Sequence, residues 1–153
     1  MEEKDMAKVF EDYFSELQAD MVGICMEYVE YQADTIYIYC CCEGRMIHSD
    51  YFYEIEGRIV QKHQVNDVSF RSTATPQNES TCLSILIDDV RKLKKLCIEY
   101  DRPMPTQIKM IYNVKNNSLD AKYKYENQWL EDKIKSSPDI FVEWYEEVKN
   151  SKN

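Results

Sequence analysis

Glycine, proline and histidine are scarce in this sequence, with 3, 4 and 2 residues among 153. Glycine-rich phosphate loops and nucleophile elbows need closely spaced glycines, and neither pattern occurs. No apolar run reaches the length of about 18 residues that a membrane-spanning helix requires. A chain with so few helix and strand breakers should consist largely of regular elements.

Apolar and aromatic side chains are plentiful by contrast. Hydrophobic residues make up 44% of the chain and tyrosine occurs 12 times. This composition is typical of a folded globular protein and not of a disordered one. At this length one hydrophobic core is the expectation, so we predict a single domain over residues 1–153.

The start of the chain and its cysteines predict a cytoplasmic location. Met1–Asp5 is acidic and no apolar stretch follows it, so we expect no secretory signal. In such a chain the cysteines are expected to be reduced thiols. There is no C-x-x-C pair and neither histidine has a ligand-like spacing from a cysteine, so we expect no metal and no cofactor. The cysteines are Cys25, Cys40, Cys41, Cys42, Cys82 and Cys97.

Negative charge dominates the sequence. The formal net charge is −9, from 28 acidic and 19 basic residues. Residues 1–30 have a net charge of −7 (9 acids, 2 lysines) and residues 126–150 one of −4 (7 acids, 3 lysines). Nucleic acid and anionic membranes repel such a protein, so we expect it to bind neither directly. The same charge favours a basic protein partner.

Hydrophobic periodicity predicts an α+β fold with element order α-β-β-β-α-β-β-α. Apolar residues three and four apart indicate helices, and runs of β-branched and aromatic residues between turn signals indicate strands. We expect an antiparallel sheet of about five strands with helices packed mainly on one face. The predicted helices are 5–31, 80–100 (capped by Ser80) and 137–149 (capped by Ser137), and the predicted strands are 35–42, 45–55, 58–65, 106–114 and 118–125. Residues 66–79 are predicted to form a loop, and a polar stretch precedes the last helix.

Strand alternation divides the first three strands into two faces. The predicted core face carries Ile36, Ile38, Cys40, Cys42, Ile47, Tyr51, Tyr53, Ile55 and Val60. The opposite face is polar and rich in aromatic residues, which suits partner recognition if it is open. Alternatively, the last helix or the long loop covers it. Our candidate partner-binding residues on this face are Tyr37, Tyr39, Asp50, Phe52 and Glu54, joined by Glu143, Glu146 and Glu147 on the last helix.

His48, Asp50 and His63 form a second candidate site. The predicted register places Asp50 opposite His63, with His48 two residues away on the same face. Two histidines and a carboxylate are the components of a general acid–base site. A polar pair across two strands explains them equally well without catalysis. A small enzyme therefore remains an alternative to a binding protein.

The sequence of the last hairpin resembles that of the YezG-like immunity proteins. Residues 109–126 read KMIYNVKNNSLDAKYKYE and end on Tyr123, Tyr125 and Glu126, the family's spacing of two tyrosines and an acid. A charged helix and the proline-containing segment 102–106 precede the hairpin, as in that family. The chain departs from the family at Met104, where a Trp is common, and at residues 141–145, which replace an aromatic-Leu-Gly ending.

This resemblance implies a cytoplasmic antitoxin that performs no chemistry. Such proteins bind the toxic domain of an LXG-type polymorphic toxin, often a nuclease. A nuclease domain holds phosphates and tends to be basic, which agrees with the acidic charge of this chain. The motif tyrosines fall on the predicted core face, so we expect them to pack and not to contact toxin. A generic cytosolic adaptor or chaperone-like binding module remains the alternative.

Overall fold

The computed structural model describes residues 9–68, 75–126 and 136–152. Within these ranges the chain forms three α-helices, five β-strands and a short 3-10 helix at Lys62–Asp67. The helices are α1 (Phe10–Tyr28), α2 (Pro76–Glu99) and α3 (Ser137–Lys152). The strands are β1 (Thr35–Glu43), β2 (Met46–Ile55), β3 (Arg58–Gln61), β4 (Gln107–Asn113) and β5 (Ser118–Lys124). The predicted α+β class and element order are confirmed.

The five strands of the described residues pair antiparallel in the order β3-β2-β1-β4-β5. The predicted turn at Glu56–Gly57 joins β2 to β3, and Gly57 has a φ of 77°, which a glycine adopts without strain. The turn before β2 lies one residue later than predicted, because Glu43 pairs with Met46. The face assignments are unaffected, because moving a two-residue turn by one position shifts the register by two residues, which leaves every side chain on the same face.

Helices α1 and α2 cover one face of the sheet and form the main core with it. The predicted core residues of the first three strands lie in this core, with Ile47 only partly buried. The last hairpin differs from the prediction that its motif tyrosines pack on the core face, because Tyr125 is 51% exposed. Ile108 and Met110 of β4 are buried, whereas Leu119 and Tyr123 of β5 are 39% and 38% exposed. Strand β5 is one of the two edge strands of the sheet, and its apolar side chains are only partly covered.

Local capping explains where the predicted bounds were wrong. Strand β3 ends at Gln61, and the backbone then turns into the 3-10 helix. Helix α2 begins at Pro76 and not at Ser80, because the Thr75 hydroxyl accepts a hydrogen bond from the Asn78 amide at 3.1 Å. Helix α3 is capped by Ser136, one residue earlier than predicted, through reciprocal bonds between Ser136 and Asp139.

Parts of the sequence prediction lie outside the described residues. These are positions 5–8 of the first predicted helix, 69–74 of the predicted loop and 127–135 of the polar stretch before the last helix.

Candidate functional site

The aromatic sheet face that we predicted as a partner surface is covered by α3. Tyr37, Tyr39 and Phe52 are 4%, 0% and 0% exposed and form a second core with Phe141, Trp144 and Tyr145 of α3. Tyr37, Tyr39 and Phe52, which we predicted to contact a partner, are therefore not exposed on the surface in this structure. The alternative that the last helix covers the face is the arrangement observed.

Ring packing explains why α3 lies on this face. Phe52 is at the centre, with its ring centroid 5.2 Å from those of both Trp144 and Tyr145 in edge-on geometry. It also stacks on Tyr37 at 4.5 Å. Edge-on and offset-stacked pairs are the favourable arrangements of aromatic rings, and each large ring buries about 150–250 Å². The amphipathic helix α3 therefore finds on this face the apolar surface that its buried stripe requires.

A buried hydrogen-bond chain fixes the start of α3. Ser137, which is 1% exposed, bonds through its hydroxyl to the Tyr39 hydroxyl at 3.0 Å and to His48 Nδ1 at 2.8 Å. Burial lowers the pKa of His48, so the neutral imidazole is favoured. A neutral ring suits the first turn of α3, where the helix dipole is positive.

The structure does not bring His48, Asp50 and His63 together as an acid–base site. Asp50 Oδ1 forms an ion pair with Lys62 Nζ at 2.8 Å, and His48 bonds to Ser137. The predicted strand would have placed His63 opposite Asp50, but the strand ends at Gln61 and leaves His63 exposed on the 3-10 helix. Lys62 takes the position beside Asp50 instead.

The predicted acidic contacts have different environments. Glu54 accepts a hydrogen bond from the Thr35 hydroxyl at 2.9 Å and lies 3.8 Å from Lys152 Nζ on α3, so it is held within the fold. Glu143, Glu146 and Glu147 are exposed on the outer side of α3. These three glutamates, which we name the α3 acidic face, are the predicted contacts that the structure exposes to solvent.

A lysine lies beside this face. The Lys109 ammonium of β4 lies 5.5 Å from the centroid of the Trp144 ring. Burial lowers the pKa of Lys109, while the nearby Glu147 and Glu143 carboxylates oppose that shift. Glu143 and Glu147 therefore interact electrostatically with Lys109, a positive charge of the same protein.

A polar cluster that the sequence did not reveal lies where α1, α2 and the end of β3 meet. It contains Cys25, Tyr28, Tyr51, Lys62 and Cys82. The Cys82 sulfur lies 4.0 Å from the carbonyl oxygen of Ile24, the residue before Cys25, and the Tyr28 hydroxyl donates to the Lys62 carbonyl at 3.0 Å. Ile24 and Cys82 are 58 positions apart. No local pattern links two residues so distant, so only the packing of the helices could show them together.

A buried carboxyl group lies between α1 and α2. Asp89 is 1% exposed, and its Oδ2 atom has no hydrogen-bond partner among the residues described. Burial and a hydrogen bond with Asp20 raise the pKa of Asp89 to about 8. The protonated form of Asp89 is therefore favoured at neutral pH.

A groove of about 390 Å³ runs between α1 and the β4–β5 hairpin. Its walls are mostly apolar and include Val22, Met26, Tyr112 and Leu119. Tyr31, at the end of α1, stands at its margin and is 68% exposed. A groove of this size and polarity can receive an apolar side chain or a short peptide segment.

In the described parts of the chain, no three His, Cys, Asp or Glu residues are grouped so that they could hold a metal ion. The same parts contain no helix with the length and apolarity needed to cross a membrane. Comparison with protein-family models and with curated proteins finds no match to this chain.

Proposed function

We propose that this protein is a cytoplasmic immunity protein that neutralises a bacterial toxin by binding its toxic domain directly. The toxin domain would be basic, and a nuclease is the class that the charge favours. The protein's own role would be binding and not catalysis.

The observation that carries this proposal is the exposure of acidic side chains on the first and last helices. The α3 acidic face places three carboxylates on one solvent-facing side of a helix. The net charge of −9 extends the attraction beyond direct contact and steers a basic partner during its approach. The resemblance of the last hairpin to the YezG-like family supports the same function from a different part of the chain.

Burial of Tyr37, Tyr39 and Phe52 moves the proposed surface to the outside of the helices. The α3 acidic face then becomes the principal contact, and the exposed Glu27 of α1, with Glu30 in the turn that follows the helix, a further one. Burying the sheet face under α3 gives the acidic helix a rigid support, which lowers the entropic cost of binding.

Co-expression with the product of the neighbouring open reading frame tests the proposal. We expect that product to be toxic alone, to be tolerated in the presence of this protein, and to co-purify with it. The proposal would be contradicted if the product of the neighbouring open reading frame is not toxic, or if it is toxic but does not bind this protein.

The groove between α1 and the hairpin favours a second candidate, an adaptor that holds an apolar segment of a partner. The two functions differ at Leu119. An adaptor should lose its partner when Leu119→Asp places a charge in the groove, whereas an immunity protein that uses the α3 acidic face should still rescue growth.

A further inference from the structure

The outer edge of β5 has no strand beside it in the part of the chain that the structure describes, where β5 pairs only with β4. The strand is seven residues long, and all of its side chains except the half-buried Ala121 are exposed. The other edge strand, β3, has only four residues and continues directly into the 3-10 helix. A long exposed edge presents unpaired N–H and C=O groups, which another strand can pair with.

The hydrogen bonds of β4 show which residues of β5 direct their backbone groups to this edge. The Cys42 amide donates to the Thr106 carbonyl at 2.9 Å, in the register that pairs β1 with β4. Even-numbered residues of β4 therefore bond toward β1 and odd-numbered ones toward β5, because backbone groups alternate in direction along a strand. The odd-numbered residues of β4 pair with even-numbered residues of β5, as Lys109 does with Lys122. The backbone groups that point outward from β5 belong to its odd-numbered residues, Leu119, Ala121 and Tyr123.

The two faces of β5 differ in chemistry. Leu119 lies on the face toward α1 and lines the groove with Tyr112, and Tyr123 packs against α1 on the same face. Asp120 and Lys122 are exposed on the opposite face, which is the face toward α3. A strand that adds to this edge must therefore offer apolar side chains on one face and complementary charges on the other.

We propose that a second copy of this chain adds to the edge, so that two β5 strands pair antiparallel about a two-fold axis through Ala121. The outward backbone groups of Ala121 then pair with those of Ala121 in the second copy, and those of Leu119 pair with those of Tyr123. The two sheets become one continuous sheet, and each copy presents the same surface, as a two-fold dimer requires.

Charge complementarity supports a second copy as the occupant. In this arrangement Asp120 lies opposite Lys122 of the second copy, and the two-fold axis repeats the pair. Both residues occupy positions without backbone hydrogen bonds across the interface, where the Cα atoms are about 4.5 Å apart and the side chains are closest. Opposite charges at directly facing positions stabilise a strand pair.

The other two-fold registers of β5 lack this complementarity. An axis at Asp120 or at Lys122 would place like charges opposite each other, which is destabilising. An axis at Tyr123 would place Lys122 opposite Lys124. An axis at Leu119 would leave Asp120 without a basic residue opposite it. The sequence of β5 therefore favours the axis through Ala121.

The same register covers exposed apolar side chains on the α1 face. Leu119, which is 39% exposed, would face Tyr123 of the second copy, which is 38% exposed. Tyr125, just beyond the strand and 51% exposed, would come beside Asn117 of the second copy, at the margin of its groove. One strand from each copy makes a small interface, so we expect a dissociation constant in the micromolar range.

Sedimentation equilibrium of the full chain tests the proposal. Over a concentration series that spans the micromolar range, we expect the mass to rise from that of one chain toward twice that value. A mass of one chain throughout would overturn the proposal. If the protein stays monomeric and Asp120→Lys abolishes binding of a cognate toxin domain, the edge belongs to a strand of the toxin, and the second copy is the wrong occupant.

A charge exchange tests the register. Asp120→Lys and Lys122→Asp should each weaken the dimer about tenfold, because each places like charges opposite each other twice. The double variant restores opposite charges in exchanged positions and should regain the wild-type dissociation constant. The single variants change the net charge in opposite directions, so an effect of net charge alone would weaken one dimer and strengthen the other. A dimer that neither single variant weakens forms through another surface and contradicts the proposal.

Cross-linking gives an independent measurement of the same register. Asp120→Cys and Lys122→Cys would place their sulfurs opposite each other only in a mixed dimer, at a Cα separation of about 4.5 Å that suits a disulfide. The six native cysteines are buried and unpaired, and each variant alone serves as the control for them. After mild oxidation we expect a disulfide-linked dimer in the mixture and not in either variant alone. An equal yield from Asp120→Cys alone would place the axis elsewhere and overturn the assignment.

Discussion

Asp89 shows how a single buried carboxyl group makes stability depend on pH. Its pKa is about 8 in the folded protein, against about 3.9 in an unfolded chain. The folded state therefore holds a proton that the unfolded state releases. The stability from this group is fully present below about pH 4 and is lost as the pH rises toward 8.

We expect Asp89→Asn to stabilise the protein at pH 8 by about 1–2 kcal/mol, because the amide carries no charge at any pH and burying it needs no proton. Urea unfolding at several pH values between 4 and 8 measures the effect. The exposed neighbour Asp88, paired with Lys92 at 3.2 Å, provides the control variant Asp88→Asn. The same decline with pH in wild type and Asp89→Asn would contradict this assignment.

His48 should produce the opposite dependence. Burial lowers its pKa, the nearby Asp50 opposes the shift and Lys62 adds to it. Since the folded pKa lies below the ordinary value of about 6.5, stability from His48 is present above that pH and is lost as the pH falls. We expect wild type to lose stability between about pH 6.5 and pH 5 more steeply than His48→Gln, measured by urea unfolding.

The second histidine serves as the control for this experiment. His63 is exposed on the 3-10 helix, so His63→Gln should retain the acid-dependent loss of stability. If His63→Gln removes that loss and His48→Gln does not, then the bond between His48 and Ser137 is not what the proton disrupts.

At the scale of elements, the docking of α3 depends on a few rings. Trp144 is 6% exposed and contacts Tyr37 and Phe52. We expect Trp144→Ala to lower the free energy of unfolding by about 3–5 kcal/mol, because it removes buried area and leaves a cavity. Val142, on the same helix but 51% exposed, gives the matched control. Val142→Ala should change stability by less than about 0.5 kcal/mol in chemical denaturation. Similar losses for the two variants would mean that α3 is not docked through its rings.

The position of α3 marks the limit of the sequence prediction. Alternation gave the correct faces for β1, β2 and β3 because side chains of a strand point to opposite sides in turn. Strand alternation did not decide whether another element covers the face that carries Tyr37 and Phe52. A signal was present in β1, whose run of apolar residues at both odd and even positions is typical of a strand buried on both faces. Reading that run as two-sided burial would have predicted a covering helix.

Other features depend on contacts between distant residues and leave no local pattern. Helix α2 starts four residues before its predicted start because Thr75 is the cap, a matter of turn chemistry. The pairing of Asp50 with Lys62 follows from the early end of β3. The contact of Cys82 with the Ile24 carbonyl follows from how α1 packs on α2. Propensity and spacing carry no information on the last two, since tertiary packing decides them.

At the scale of the whole molecule, α3 presents its acidic side chains to solvent and packs its rings against the sheet. A partner would then meet carboxylates first, which mainly affects the rate of association and its salt dependence. Some of these charges are balanced within the protein, as Glu11 is by Arg102 at 3.1 Å. The effect of the α3 acidic face on a partner must therefore be separated from the effect of net charge alone.

Charge reversal on the α3 acidic face, tested with the purified cognate toxin domain, distinguishes the effect of this face from the effect of net charge. We expect Glu143→Lys, Glu146→Lys and Glu147→Lys together to slow association about tenfold or more at low salt and to flatten its salt dependence, because the steering potential at the contact is inverted. Stopped-flow mixing over a salt series measures both. The control reverses three exposed acids elsewhere, with the same change in net charge: Asp67→Lys, Asp88→Lys and Glu99→Lys. If the control slows association as much as the α3 variant, the effect belongs to net charge, and the toxin does not bind through α3.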